Sequence, residues 1–224
     1  MCGRAFSTYS NEELEYWYFH QPNARKIPEF KSTYNLAPTQ ETLVLRVVEG
    51  ERQLDLLHWG LIPPWEKEFK TKLSTINAKS ETVFTSPLYK DSIRYRRCII
   101  PLSGFFEWKR DGERKRPFCI RSKRGPTLSI AGIWSVWRSP AGDERYSFAL
   151  LTTAANTFIA KIHDRMPVIL APEQEEAWLD PELTQPIEIA RMLKPCPDAL
   201  LEAYEISVMV NSPRNNREEI LEPA

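Results

Sequence analysis

The sequence predicts an α+β domain built on a mostly antiparallel, curved sheet. Three observations carry that expectation. Runs of β-branched and aromatic residues outnumber helical segments and do not alternate regularly with them, so a doubly wound parallel sheet is not expected. Asp111-Gly112 sits between two such runs as a hairpin turn. Eighteen prolines punctuate the connections. With 224 residues, 42% of them apolar and 11% aromatic, the chain has enough material for a substantial core, and a single domain over residues 1–224 is expected.

In chain order, Ser10-Asn11-Glu12-Glu13 reads as a capping box opening a short helix through Trp17 and Tyr18. Strands are expected over Leu43 to Val48, Leu54 to Trp59, Arg97 to Leu102, Phe105 to Lys109, Phe118 to Ser122, Leu128 to Val136, Tyr146 to Thr152 and Glu205 to Val210. A short helix is expected between Ala154 and Lys161. Pro172 opens another through Trp178, ended near Pro181, and a last one runs from Gln185 to Lys194 before Pro195.

Bulk properties remove several function classes. No apolar run is long enough to span a membrane, and the start lacks the pattern of a signal peptide. Cys2, Cys98, Cys119 and Cys196 are scattered without a C-x-x-C spacing, which points to a reduced, cytoplasmic setting. His20, His58 and His163 form no metal-ligand spacing with them, so no metal and no cofactor are expected. Net charge is zero, but its distribution is uneven: Arg94 to Arg124 holds eleven Lys/Arg against three Asp/Glu, and Ala171 to the end holds four against twelve. That asymmetry is compatible with a basic face or with solvated hairpin tips.

Several polar stretches are more than packing needs. Met1-Cys2-Gly3-Arg4 places a thiol directly behind the initiator. If an aminopeptidase removes Met1, Cys2 carries a primary amine and a thiol on adjacent carbons, a 1,2-aminothiol that condenses with aldehydes to a thiazolidine. Tyr34-Asn35-Leu36-Ala37-Pro38 lies between the first helix and first predicted strand. Thr75 to Thr82 is one polar extended stretch. Glu107 lies in Gly104-Phe105-Phe106-Glu107-Trp108; in a strand, Phe106 and Trp108 face away from it, and a carboxyl against a partly apolar surface gains proton affinity, which suits general acid/base work. His163, in Ile162 to Pro167, is a second candidate proton carrier or a helix terminator.

Taken in order, MCGR, YNLAP, HWGLIPPW, INAKSET, CIIPLSGFFEWK and IHDRMPVIL resemble the SRAP (SOS-response-associated peptidase) family over nearly the whole chain. The resemblance implies a barrel-like, bifurcated sheet with a few helices around it. It also implies a protein, acting as a monomer, that shields abasic sites in single-stranded DNA. Its Cys2, freed of Met1, would trap the open-chain aldehyde of the abasic sugar as a thiazolidine crosslink, with weak lyase activity from a stalled imine. By that resemblance Cys2 is the nucleophile, Asn35 holds its amine or the sugar hydroxyl, Glu107 shuttles protons, and His163 protonates the leaving hydroxyl. Gly3, Arg4, Pro38, Trp65, Asn77, Lys79 and Arg165 would meet DNA.

Two positions depart from the family pattern. Lys79 stands where arginine is common, which keeps the charge but loses the bidentate fork to phosphate. Glu66 stands where a second aromatic often follows Trp65, leaving Trp65 or Phe69 to stack on a base. Two competing readings remain: a thiol peptidase limited to removing Met1, with His163 as base, and a domain that only binds nucleic acid or protein through aromatic surface.

Overall fold

The computed structural model describes residues 2–19 and 27–224; Met1 and His20 lie outside them. The strands, in chain order, are β1 (Ala5–Ser7), β2 (Thr33–Leu36), β3 (Glu41–Val48), β4 (Glu51–Trp59), β5 (Asn77–Lys79), β6 (Arg97–Leu102), β7 (Gly104–Asp111), β8 (Arg114–Ser122), β9 (Leu128–Arg138), β10 (Glu144–Ala154), β11 (Arg165–Pro167) and β12 (Leu201–Glu205). Four α-helices accompany them: α1 (Asn11–Leu14), α2 (Lys90–Tyr95), α3 (Pro172–Leu179) and α4 (Pro186–Met192). The predicted α+β class holds.

The strands form two sheets. One is fully antiparallel in the order β12-β8-β7-β1-β2. The other runs β11-β10-β4-β3-β6-β9, and a long β9–β10 pairing closes β10, β4, β3, β6 and β9 into a barrel. That barrel is mixed, because β10 runs parallel to β4 and to β5.

Closure explains the continuous apolar runs. Both faces of β6 are buried along its whole length, so its sequence shows no polar alternation. The two-residue period is still visible in where side chains go. Leu43, Leu45, Ile99, Ile133 and Leu151 pack with Leu14, Ile93, Trp178 and Ile189 under the helices. Val44, Cys98, Ile100, Ile130 and Leu150 pack instead with Cys2, Ala5, Leu36, Phe105 and Ile120, which join the barrel to the five-stranded sheet. Cys2 is thus part of the second core, fully buried.

Local chemistry accounts for the ends. Ser10 and Glu13 close the expected capping box, and residues Glu15–Phe19 continue α1 as a π-helical turn. Gly112 takes φ +59 as the first of the two loop residues, Gly112 and Glu113, between the paired Asp111 and Arg114 of the β7–β8 hairpin, the position where a type II′ turn places glycine. The predicted strand over Glu205 to Val210 is a correction: β12 ends at Glu205, and Val208–Asn211 form a 3-10 turn capped by the Ser207 hydroxyl on the Met209 amide. The helix expected between Ala154 and Lys161 shrinks to a 3-10 turn at Ile159–Lys161, because Ala154 still pairs with Arg165 as the end of β10.

Candidate active site

The N-terminal segment reaches the site through backbone pairing. Ala5 and Phe6 of β1 register against Phe105 and Gly104 of β7, and the Phe106 amide donates to the Arg4 carbonyl at 2.9 Å. That register runs Gly3 and Cys2 toward Glu107. Close approach is possible because residue 104 is glycine: a Cβ there would lie 2.5 Å from both the Ile120 carbonyl and the Phe6 ring.

Glu107 behaves as a strand residue in the predicted way. Phe105, on its own face, packs in the core that holds Cys2, whereas Phe106 and Trp108 join the separate cluster of Phe6, Cys119 and Ile206. Glu107 is 2% exposed, and burial raises its carboxyl above the ordinary range. Burial, and next the Glu107 charge, push the Cys2 thiol well above the usual thiol range. The thiol stays protonated at neutral pH with Met1 on the chain.

His163 follows the Ile159–Lys161 turn, with its Nε2 4.0 Å from Glu107 Oε2. Its Nδ1 accepts from the Arg165 amide at 3.0 Å and also lies 2.9 Å from the Asp164 carboxylate. One ring nitrogen cannot satisfy an N–H and a carboxylate together. The amide is fixed by the backbone, while the Asp164 side chain is 87% exposed and free to turn away. The neutral ring therefore carries its proton on Nε2, facing Glu107.

Asn77 opens β5, held parallel to β10 through Leu150, and its Nδ2 donates to the Cys2 carbonyl at 2.8 Å. Lys79, exposed at the end of β5, registers with Thr152. Arg165 reaches the same place, donating to the Thr152 carbonyl at 2.7 Å, but it also forks onto Glu81 at 2.5 and 3.0 Å. That fork holds the Glu81 carboxyl below its usual range. Nothing in the sequence pointed to Glu81 as a competitor for Arg165, since 84 positions separate them.

Asn35 has a different set of partners from the one the resemblance implies. It lies on β2, not in a loop, and is 1% exposed. Its Nδ2 donates to the carbonyls of Val210, Ser212 and Asn215, and its Oδ1 accepts from Arg4 at 2.8 Å. Arg4 also donates to the Val210 carbonyl at 2.7 Å. Asn216 in turn accepts from the Tyr34 and Asn35 amides. Asn35 thus ties the chain around 210–216 to Arg4, one residue beyond Gly3.

Cys2, Arg4, Asn35, Asn77, Glu107, His163 and Arg165 therefore form one connected group. Pro38 follows β2 in a turn where the Gln40 amide donates to the Ala37 carbonyl and Thr39 takes φ +74, unusual for a β-branched residue. Trp65 lies in the loop 60–76 and is 62% exposed. Phe69 is spoken for by edge contacts to His58 and Trp137 and by Arg145, 3.7 Å over its ring. Trp65 is thus the exposed aromatic of that loop.

A cleft of about 480 Å³ opens on the group, lined by Glu107, Trp108, Arg110, Lys115, His163 and Asn211. Among the described residues no set of three His, Cys, Asp or Glu could hold a metal ion, and no helix is long and apolar enough to cross a membrane.

Comparison with known proteins converges on one family. Residues 1–213 match the family model described as SOS response associated peptidase (SRAP). Abasic site processing protein YoqW of Bacillus subtilis is 38% identical over 223 residues, 99% of each chain. Abasic site processing protein YoaM of the same organism is 39% identical over 223 residues, 99% of this chain and 98% of that one. A crystal structure of a protein from Bacteroides thetaiotaomicron superposes with a TM-score of 0.87 at 28% identity, covering 100% of both chains.

Proposed function

Because this chain belongs to the SOS response associated peptidase family, we propose that it processes abasic sites in DNA by covalent capture through Cys2. Its relatives YoqW and YoaM carry abasic site processing in their names. The observation that carries the chemistry is the burial of Cys2 beside the buried carboxyl of Glu107, itself 4.0 Å from His163.

The steps balance without a cofactor. Removal of Met1 frees the Cys2 amine. The amine attacks the aldehyde carbon of the ring-opened abasic sugar, and the carbinolamine loses water to an imine. Glu107, whose burial raises its proton affinity, gives the proton that water departure needs, and His163 Nε2–H steadies the same hydroxyl. The Cys2 thiol then adds across the C=N bond. Its proton passes by way of Glu107 to the nitrogen, and a five-membered thiazolidine closes. The sum is protein plus DNA minus one water. An imine that fails to close is open to β-elimination, which gives weak lyase activity.

The surrounding groups position this chemistry. Asn77 holds the Cys2 carbonyl, and its Oδ1, buried with no hydrogen-bond partner among the described residues, is an acceptor for the freed amine. Asn35 acts through Arg4 and the 210–216 segment, with a sugar hydroxyl reachable only if one of its present partners lets go. Gly3, Arg4, Pro38, Trp65, Lys79 and Arg165 contact the strand, with Arg165 exchanging Glu81 for a phosphate. Single-stranded DNA is the preferred substrate, because a duplex must release the sugar from its stack before Cys2 can reach it.

The peptidase reading is weaker on the same geometry. A cysteine protease needs a thiolate, and here burial and Glu107 both oppose one. The test uses a single-stranded oligonucleotide with one abasic site, an intact control and a denaturing gel. A shifted band that requires both the abasic site and Cys2 supports capture. Equal bands from Cys2→Ala protein would sink it.

A further inference from the structure

The cleft beside Glu107 and His163 has a wall that the capture chemistry does not use. Arg110 of β7 and Lys115 of β8 stand directly opposite each other in the hairpin register, and both line the cleft. Both are exposed. Facing cations on neighbouring strands repel, with Cβ atoms about 5 Å apart. Three other cations nearby are neutralised within the protein. Arg116 pairs with Glu205 and lies 3.8 Å from Asp111. Arg121 pairs with Glu202 at 2.6 Å, and Arg165 with Glu81. Arg110 and Lys115 make no ion pair among the described residues, so this like-charge pair persists without a protein counter-ion on the wall of the candidate active site.

We propose that Arg110 and Lys115 form a phosphate subsite, one bridging anion relieving their mutual repulsion, which grips the DNA backbone as it leaves the cleft. This deepens the reading of the site as one for abasic DNA and rests on it for the identity of the ligand. Both residues lie on paired strands closed by a tight turn, so the backbone places the two charges opposite each other rather than on a loop. The phosphodiester is the ligand chemistry, and it fixes where the strand runs without reading its sequence.

The test measures reversible binding of an intact single-stranded oligonucleotide, with no abasic site, by fluorescence anisotropy across a salt series. Wild type is compared with the full-length double variant Arg110→Gln/Lys115→Gln and with Arg114→Gln/Lys123→Gln, which removes two cations from the neighbouring hairpin tip and strand end. The subsite predicts that the first variant loses about 0.7 from the slope of log affinity against log salt, the share of one single-strand phosphate contact, and binds about fivefold more weakly near 0.1 M salt. The second variant should stay close to wild type. Equal loss in both variants, or no loss in the first, overturns the subsite, because the effect is then net charge alone or absent. Circular dichroism confirms that each variant is folded.

Crosslinking to an abasic oligonucleotide separates this proposal from the one it rests on. Slope loss confined to Arg110→Gln/Lys115→Gln, with no wild-type crosslink, leaves the subsite standing and removes covalent capture. A wild-type crosslink with unchanged slopes does the reverse.

Discussion

Glu107 concentrates the residue-scale account. Its side chain is 2% exposed, and burial raises its carboxyl pKa. A raised acid pKa in the fold means that the native state binds more protons than the unfolded chain, so stability falls as pH rises from the ordinary glutamate range through the raised value. Glu107→Gln keeps the shape and abolishes the titration. Its urea midpoint should exceed that of wild type at pH 7 and match it near pH 4, while crosslinking slows by about 10²-fold or more. A variant destabilised at pH 7 would show that the ionised carboxylate is held favourably, against this account. The proton affinity of Glu107 was legible in its aromatic neighbours. Its position beside His163 was not, because a separation of 56 positions leaves no local trace of a long-range contact. Arg165 was legible as a cation and illegible as a neutralised one, since Glu81 meets it only in the fold.

At the scale of elements, local rules worked where local chemistry decides the outcome. The Ser10–Glu13 box, Pro172 at the start of α3 and the presence of the hairpin at Gly112 read correctly, with the turn centred one residue later, on Gly112 and Glu113, because backbone amides and φ angles need only near neighbours. Short strands failed to show. β1, β2, β5 and β11 hold three or four residues each and exist because a longer neighbour supplies their hydrogen bonds. The segment after β12 read as strand because Ile206, Val208 and Val210 are β-branched. It turns away instead, and Asn35 gathers its carbonyls. Asn35→Ala strips that segment of three amide bonds and Arg4 of one, and should cost about 1–3 kcal/mol in urea unfolding. The loss should appear also as a weaker hold on Arg4, read as a raised half-saturating oligonucleotide concentration. Unchanged stability would mean that the 210–216 segment is held by other contacts.

For the whole molecule, the charge asymmetry of the sequence is in part an internal matter. Arg97, counted in the basic stretch, is buried and donates to the carbonyls of Ile93, Arg94, Trp178 and Asp180. Arg116 and Arg121 meet Glu205 and Glu202 of the acidic C-terminal part, across the β8–β12 pairing. Arg110 and Lys115, which line the cleft, make no ion pair among the described residues. The two-sheet architecture bears on the proposed function: the barrel and the five-stranded sheet share the buried core that contains Cys2.

The central claim is covalent capture by the 1,2-aminothiol of Cys2, and intact mass tests it most directly. Protein shown by mass to lack Met1 is mixed with an abasic single-stranded oligonucleotide, with and without borohydride. The account predicts an adduct weighing protein plus oligonucleotide minus one water, unchanged by borohydride, because a closed thiazolidine has no imine to reduce. An adduct that gains two hydrogens would place the reaction at an open imine. No adduct from protein lacking Met1, or the same adduct from Cys2→Ala, would contradict the account.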